Sequence, residues 1–195
     1  PFSETDKYIL DQYVMQGGRI LWVVNGVRFS EDYLSSQGAT PIIALELNIN
    51  DLLFRYGVRI NHALVQDLQC LPVPVDVSID SSEPNWQPMP WTYAPLLLTS
   101  QASSITRNVA QVSATMASAI DLVGGEDGLR KEVLLATSTA SKLTATPARV
   151  DLNWGVDNET SFQYAFIPVA VCIEGSFPSL YAYQLPPEEI TTQNP

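Results

Sequence analysis

The stretch FSETDKYILDQYVMQGGRILWVVNG, residues 2–26, decides the predicted fold class. Ser3 or Thr5 is placed to cap a helix, and Gly17 and Gly18 end it, because glycine adopts positive φ without a steric penalty. Between cap and stop, apolar residues recur at helical spacing: Tyr8, Ile9, Leu10, Tyr13 and Val14. Residues 19–25 follow as an apolar run with the length of a buried strand. The order helix, glycine stop, buried strand predicts an α/β fold with a mostly parallel sheet flanked by helices.

The rest of the chain extends this prediction as a single α/β domain over residues 1–185, with residues 186–195 as a linker or tail. A short helix is expected at residues 51–56, and a helical turn at residues 64–68. Residues 80–95 read as a turn followed by a proline-rich aromatic stretch, and residues 112–123 fit either helix or strand. Strands are expected at five places: residues 58–60, 73–79, 133–137, 148–153 and 167–173.

Composition excludes several function classes. The formal net charge is −11, so nucleic acid and an anionic membrane surface are not expected as partners, because both need clustered Lys and Arg. No apolar run approaches the roughly 18 residues that a membrane-spanning helix requires. A chain of 195 residues is long enough to bury a sizeable core.

The residues that usually carry chemistry do not form a recognisable catalytic pattern. His62 is the only histidine, and no G-x-S-x-G nucleophile elbow is present. One histidine with Cys70 and Cys172 far apart does not supply a zinc site, and both cysteines are more consistent with free thiols than with a disulfide. We therefore predict no enzyme, no cofactor and no metal. An amidotransferase- or hydrolase-like site around His62 is the least favoured alternative.

Two clusters are candidates for binding. Trp86, Trp91 and Tyr93 lie in the proline-rich stretch and would either pack over a sheet edge or form a ligand or partner surface. Asp51 and Arg55 are spaced i,i+4 around the second helix, and with Arg59 they are expected to make local contacts rather than to clamp a substrate.

Five segments in a fixed order carry a family resemblance. They are FSETDKYILDQYVMQGGRILWVVNG (2–26), NDLLFRYGVRIN (50–61), SSITRNV (103–109), VLLATSTASKLTATPARVDL (133–152) and PVAVCIEGSFPSLY (168–181). The chain resembles the extracytoplasmic domain of the GldG family, the gliding-motility-associated ABC-transporter auxiliary proteins of Bacteroidetes. That family is itself similar to flavodoxin-like and glutamine-amidotransferase-like folds. A shared fold does not transfer activity, and the amidotransferase elbow is missing here.

The resemblance implies a non-catalytic, substrate-binding-like domain with a binding or coupling role. It implies a membrane-anchored parent on the periplasmic face of the cytoplasmic membrane, with ABC permease and ATPase subunits as partners. No binding residues are carried over. The chain would be an incomplete, excised portion, so an exposed sheet edge and some self-association are expected. The alternative is a glycan- or cell-wall-binding module that uses Trp86, Trp91 and Tyr93.

Overall fold

The computed structural model describes residues 1–78, 83–124, 128–152, 159–184 and 186–187. The helices in these ranges are α1 (Glu4–Met15), α2 (Glu31–Gln37) and α3 (Asn50–Arg55), with a short 3-10 helix at Glu159–Ser161. The strands are β1 (Val27–Arg28), β2 (Ala39–Ala44), β3 (Val58–Asp67), β4 (Cys70–Asp76), β5 (Trp86–Thr99), β6 (Gln111–Ser113), β7 (Ser118–Leu122), β8 (Leu129–Ala136), β9 (Ser141–Ala145), β10 (Ala148–Asp151) and β11 (Pro168–Gly175). Strands therefore dominate the described part of the chain.

The strands form three sheets, and every strand pairing among the described residues is antiparallel. One sheet has the order β1-β2-β10 and another the order β7-β3-β9. The largest sheet has the order β11-β8-β5-β4, with β6 paired to the far half of β5. The two longest strands, β3 and β5, thus lie at the centre of their sheets.

The prediction of a parallel, flavodoxin-like α/β sheet is wrong, since the sheets are antiparallel. Parallel neighbours need a crossover of a dozen or more residues, usually a helix. Of the helices in the described ranges, only α1 is that long, whereas α2 and α3 have seven and six residues. The apolar run after α1, which was expected to be the first buried strand, belongs to no strand. The sequence order of helix and strand therefore did not determine which strands pair.

Local signals were more reliable than the sheet topology. Ser3 caps α1 through a capping box with Asp6, and Gly17 follows the helix at a φ of 85°. The expected strands near 133–137, 148–153 and 167–173 correspond to β8, β10 and β11. Pro74 lies in β4, an edge strand, as its missing N–H requires.

One local prediction was wrong, and two stretches without a predicted helix or strand form regular structure. The helical turn expected at residues 64–68 is instead the second half of β3, which runs on from Val58 without a break. The proline-rich aromatic stretch forms the first half of β5. Residues 26–41, for which no helix or strand is predicted, contain β1, α2 and the start of β2. Prolines at 88 and 90 are tolerated in β5 because this half of the strand pairs only with β4 among the described strands, so one side of its backbone has no ladder to donate to.

The core lies on both faces of β3. Leu64 packs in one cluster and Val65 in another, and both side chains are fully buried, because successive residues of a strand point to opposite faces. The first cluster joins β1, β2, β3, β5 and β10: Val27, Ile42, Leu64, Trp91, Ala94, Met116 and Val150. The second joins Val65 to Ala119 and Ile167. The sheets thus pack on a shared central strand.

The described residues bear only in part on the predictions for the tail, the cysteines and a membrane span. The expected tail falls mostly on residues 188–195, which lie outside the described residues. Cys70 and Cys172 are both free, and burial raises the pKa of each thiol. Among the described helices, none is long and apolar enough to cross a membrane.

Candidate functional site

An open cleft of about 810 Å³ lies between α3 and the first half of β3. Its size falls within the range of small-molecule sites. The walls combine basic, acidic, amide and apolar side chains: Arg55, Arg59, His62, Asp51, Asn50, Asn61, Phe54, Ile60 and Leu180. The mixture suits a ligand that has both a charged group and an apolar body.

A tight turn brings the two walls together. Gly57 separates α3 from β3 at a φ of 87°, and its carbonyl accepts a hydrogen bond from the backbone N–H of Val123 at 2.9 Å. A Cβ at this position would lie 2.7 Å from Cε of Lys131, which itself donates to the Val123 carbonyl. The turn is therefore held against the end of β7, and it sets the angle between the walls.

The basic side chains of the cleft differ in what contacts them. Arg59 makes a two-point contact with the Asp121 carboxylate, with Nε 3.1 Å from Oδ2. The Nδ1 of His62 lies 2.8 Å from the Gly26 carbonyl, and its Nε2 faces Glu46 at 3.4 Å. The guanidinium of Arg55 forms no hydrogen bond or ion pair with any described residue. Arg55 is thus the uncompensated cation of this cleft within the described chain.

Lys7 holds α3, the helical wall of the cleft, through Asp51. This lysine is 1% exposed, and its Nζ lies 2.8 Å from Asp51 and 2.9 Å from Glu4. Burial lowers the pKa of Lys7, but the hydrogen bonds and charges of Asp51 and Glu4 outweigh it, so the pKa is raised. The same ion pair lowers the pKa of Glu4, through its hydrogen bond with Lys7 above all. The predicted Asp51–Arg55 pair is therefore replaced by Asp51–Lys7.

Asp11 anchors the other side of the cleft. Its carboxylate is fully buried and accepts from the Tyr56 hydroxyl at 2.8 Å, the Ser179 hydroxyl at 2.6 Å and the Leu180 N–H at 2.9 Å. Tyr56 ends α3, and Leu180 lines the cleft. One carboxylate therefore ties α1, α3 and the segment after β11 together, and it places Leu180 at the cleft.

The Asp11–Tyr56 contact predicts an alkaline limit to stability. Burial first, and then the hydrogen bond and charge of Asp11, raise the pKa of Tyr56 above its usual 10.0. A folded-state pKa that is raised contributes stability below the unfolded pKa and loses it as pH rises further. We expect the free energy of unfolding to fall above about pH 10, and Tyr56→Phe to reduce that slope by up to about 1.4 kcal/mol per pH unit.

Urea unfolding between pH 8 and 11 measures this effect. Tyr183→Phe is the matched control, because Tyr183 is 97% exposed. The explanation fails if Tyr56→Phe and Tyr183→Phe lose stability with the same slope above pH 10.

A second candidate surface is the apolar segment, residues 19–25. Leu21 and Val23 are each 88% exposed, while Trp22 packs edge-on against Phe2 with ring centroids 6.0 Å apart. Within the described part of the chain, the backbone of residues 19–24 makes no hydrogen bond to another backbone group. Exposed apolar side chains on an unpaired backbone are typical of a surface that another chain covers.

The structure separates the three aromatic residues that the sequence singled out. Trp91 is 5% exposed and donates its indole N–H to the Asp151 carbonyl at 3.0 Å. Tyr93 is half-buried, tilted 53° from Trp91, and its hydroxyl accepts from Gln66 at 3.1 Å. Trp86 is 60% exposed at the start of β5. The glycan-binding surface stays a prediction, with Trp86 as the exposed ring of the three.

The surroundings of His62 bear on the catalytic alternative. The ring contacts the Gly26 carbonyl and Glu46, and no hydroxyl or thiol of a described residue hydrogen-bonds to it. Cys172 lies in β11, which pairs with β8. In the described ranges no group of three or more His, Cys, Asp or Glu is placed to hold a metal ion. The geometry therefore adds nothing in favour of a hydrolase-like site.

The sequence did not single out Lys7 and Asp11, the two buried residues that hold the walls of the cleft in place. They lie four residues apart on α1 and face inward, whereas the apolar Ile9 and Tyr13 are more than half exposed. The i,i+4 spacing of opposite charges was a signal for a shared face, but it normally indicates a solvated one.

The fold and site define a mostly antiparallel β domain that has an open cleft and an exposed apolar segment. Comparison with known proteins supplies the family. A family model described as an ABC-type uncharacterized transport system matches residues 1–195, and the chain belongs to this family of ABC transport auxiliary components. The transporter-auxiliary part of the resemblance is thereby confirmed. No curated protein and no solved structure matches the chain.

Proposed function

We propose that this chain is the extracytoplasmic domain of a membrane-anchored auxiliary protein of a gliding-type ABC system, and that it couples to the permease and ATPase subunits without catalysing a reaction. The observation that carries the proposal is the family match over residues 1–195. The five segments that resemble the GldG family support the finer assignment.

The apolar segment is the surface we assign to the permease. Leu21 and Val23 present two large apolar side chains to solvent on a backbone that makes no hydrogen bond to another backbone group among the described residues. A strand added beside such a segment gains backbone hydrogen bonds, and a covering layer removes apolar area from water. Arg19 is the segment's only charged residue, so little charge must be desolvated on docking.

Affinity purification of the full-length parent from native membranes, followed by mass spectrometry, tests the proposal. We expect permease and ATPase peptides in the wild-type sample. Leu21→Asp with Val23→Asp should reduce their recovery at least tenfold, because two carboxylates would be desolvated in the interface. Ile105→Asp is the matched control, since Ile105 is 61% exposed elsewhere on the surface.

The outcomes separate the two parts of the proposal. If the wild type brings down neither subunit, the coupling role is rejected. If both subunits remain bound to the double variant at wild-type levels, the apolar segment is not the docking surface. The folded fraction of each variant is checked by circular dichroism before the comparison.

A further inference from the structure

We propose that the cleft between α3 and β3 is a binding site for a small organic anion with one carboxylate and an apolar body. Arg55 holds the carboxylate, and Phe54, Ile60 and Leu180 receive the apolar body. This inference rests on the cleft alone and does not depend on the proposed coupling role.

The charge balance of the cleft points to a single negative charge. Arg59 is satisfied by Asp121, and His62 lies against Glu46, which leaves Arg55 as the cation without a partner in the described structure. A guanidinium presents planar paired donors that match a carboxylate. The carboxylates of Asp51, Asp121 and Glu46 around the cleft disfavour ligands with several negative charges.

The apolar part of the cleft explains why the ligand carries more than a charged group. Phe54 is 57% exposed, although its neighbours Leu52 and Leu53 on the same short helix are buried. The ring therefore borders the cleft beside Arg55 instead of joining the core. Ile60 and Leu180 lie on the other walls. Burying an aromatic or aliphatic body here would remove apolar surface on both partners from water.

The walls are held in place before any ligand arrives. Asp51 is fixed by the buried Lys7, and Leu180 is fixed by the buried Asp11. The glycine turn between the walls is held by a hydrogen bond from the Val123 N–H to the Gly57 carbonyl. A preorganised site loses less conformational entropy on binding, so a ligand of modest size can bind measurably.

Titration of the chain with phenylacetate, followed by NMR or calorimetry, tests the site. Phenylacetate carries one carboxylate on an aromatic body, and phenylacetamide is its neutral counterpart. We expect saturable binding of phenylacetate, and at least tenfold weaker binding of phenylacetamide, because the charged hydrogen bonds to Arg55 are lost. Inorganic phosphate should also bind at least tenfold more weakly, since it lacks the apolar body.

Matched variants locate the binding. Arg55→Ala should weaken phenylacetate binding at least tenfold, and Arg55→Lys by less, since the charge remains without the planar fork. Arg107→Ala, at an exposed arginine of the loop between β5 and β6, should leave the affinity unchanged. Phe54→Ala should weaken binding, whereas Tyr164→Ala, at a ring that is 56% exposed elsewhere, should not.

Three results would overturn the assignment. They are the absence of saturation at millimolar phenylacetate, equal affinity for phenylacetamide, and equal effects of Arg55→Ala and Arg107→Ala. Because Arg55 is exposed at the end of α3, its replacement is not expected to unfold the chain, and Arg55→Lys keeps the test valid if it does.

Discussion

Replacing Trp91 with alanine is expected to lower the free energy of unfolding by about 4 kcal/mol, the largest effect of a single substitution that we predict. The indole is 5% exposed and packs in the larger core cluster with Leu64, Ala94 and Val150. Its removal leaves a cavity between sheets and takes the N–H donor away from the Asp151 carbonyl. Urea or guanidinium unfolding, extrapolated to water, measures the change.

Trp86→Ala is the matched control for that prediction. It removes the same side chain from the same strand, but Trp86 is 60% exposed, so a change below about 0.5 kcal/mol is expected. Similar losses in the two variants would mean that burial does not distinguish the two tryptophans. The pair also bears on the glycan hypothesis, because a ring needed for the core is not available to stack on a sugar.

Replacing Asp11 with alanine is expected to cost about 3 kcal/mol of stability. The hydroxyl of buried Tyr56, the hydroxyl of Ser179 and the N–H of Leu180 would all lose their acceptor. Because donors left without a partner in a low-dielectric region are costly, the loss should exceed that of a surface carboxylate. Denaturant unfolding at neutral pH measures it.

Two further variants control for this effect. Glu83→Ala removes an exposed carboxylate and should change stability by less than about 0.5 kcal/mol. Asp11→Asn keeps one carbonyl acceptor in place and should fall between the two. If Asp11→Ala is no more destabilising than Glu83→Ala, the Asp11 network does not hold α1, α3 and Leu180 together. Phenylacetate binding should also weaken in Asp11→Ala, because Leu180 would lose its anchor.

These predictions share one physical basis. The chain encloses its apolar core between antiparallel sheets, and two buried charged residues, Lys7 and Asp11, tie α1 to α3 and to the segment after β11. Hydrogen bonds to such groups are directional, so they place Asp51, Tyr56 and Leu180 more tightly than apolar packing alone would. The cleft gains its geometry from this attachment.

The sequence by itself determined the local features of this protein. A capping box at Ser3 and a positive-φ glycine at 17 delimit α1, and Gly57 ends α3, because the physics of helix termini acts within a few residues. The strands β8, β10 and β11 were also foreseen from their apolar, β-branched composition. The family resemblance, carried by five ordered segments, led to the correct class of transport auxiliary.

Only the tertiary structure decided which strands pair, and in which direction. An apolar run such as residues 19–25 fits a buried strand, but pairing depends on partners distant in sequence. Here β3 and β5 pair with antiparallel strands, whereas residues 19–25 pair with no described strand and leave Leu21 and Val23 exposed to solvent. The apolar composition of residues 19–25 thus favours burial, but the described residues do not cover this segment.

For the cleft too, the sequence indicated some of the residues, and the tertiary structure decided their roles. Arg55 and Arg59 stood out in the sequence, but their different roles depend on Asp121, which is brought to Arg59 by the pairing of β3 with β7. Lys7 and Asp11 did not stand out in the sequence, and they are buried because α3 and Leu180 bring acceptors and donors to them. A charged side chain is buried only where the tertiary structure supplies its partners, and no local pattern in the sequence records them.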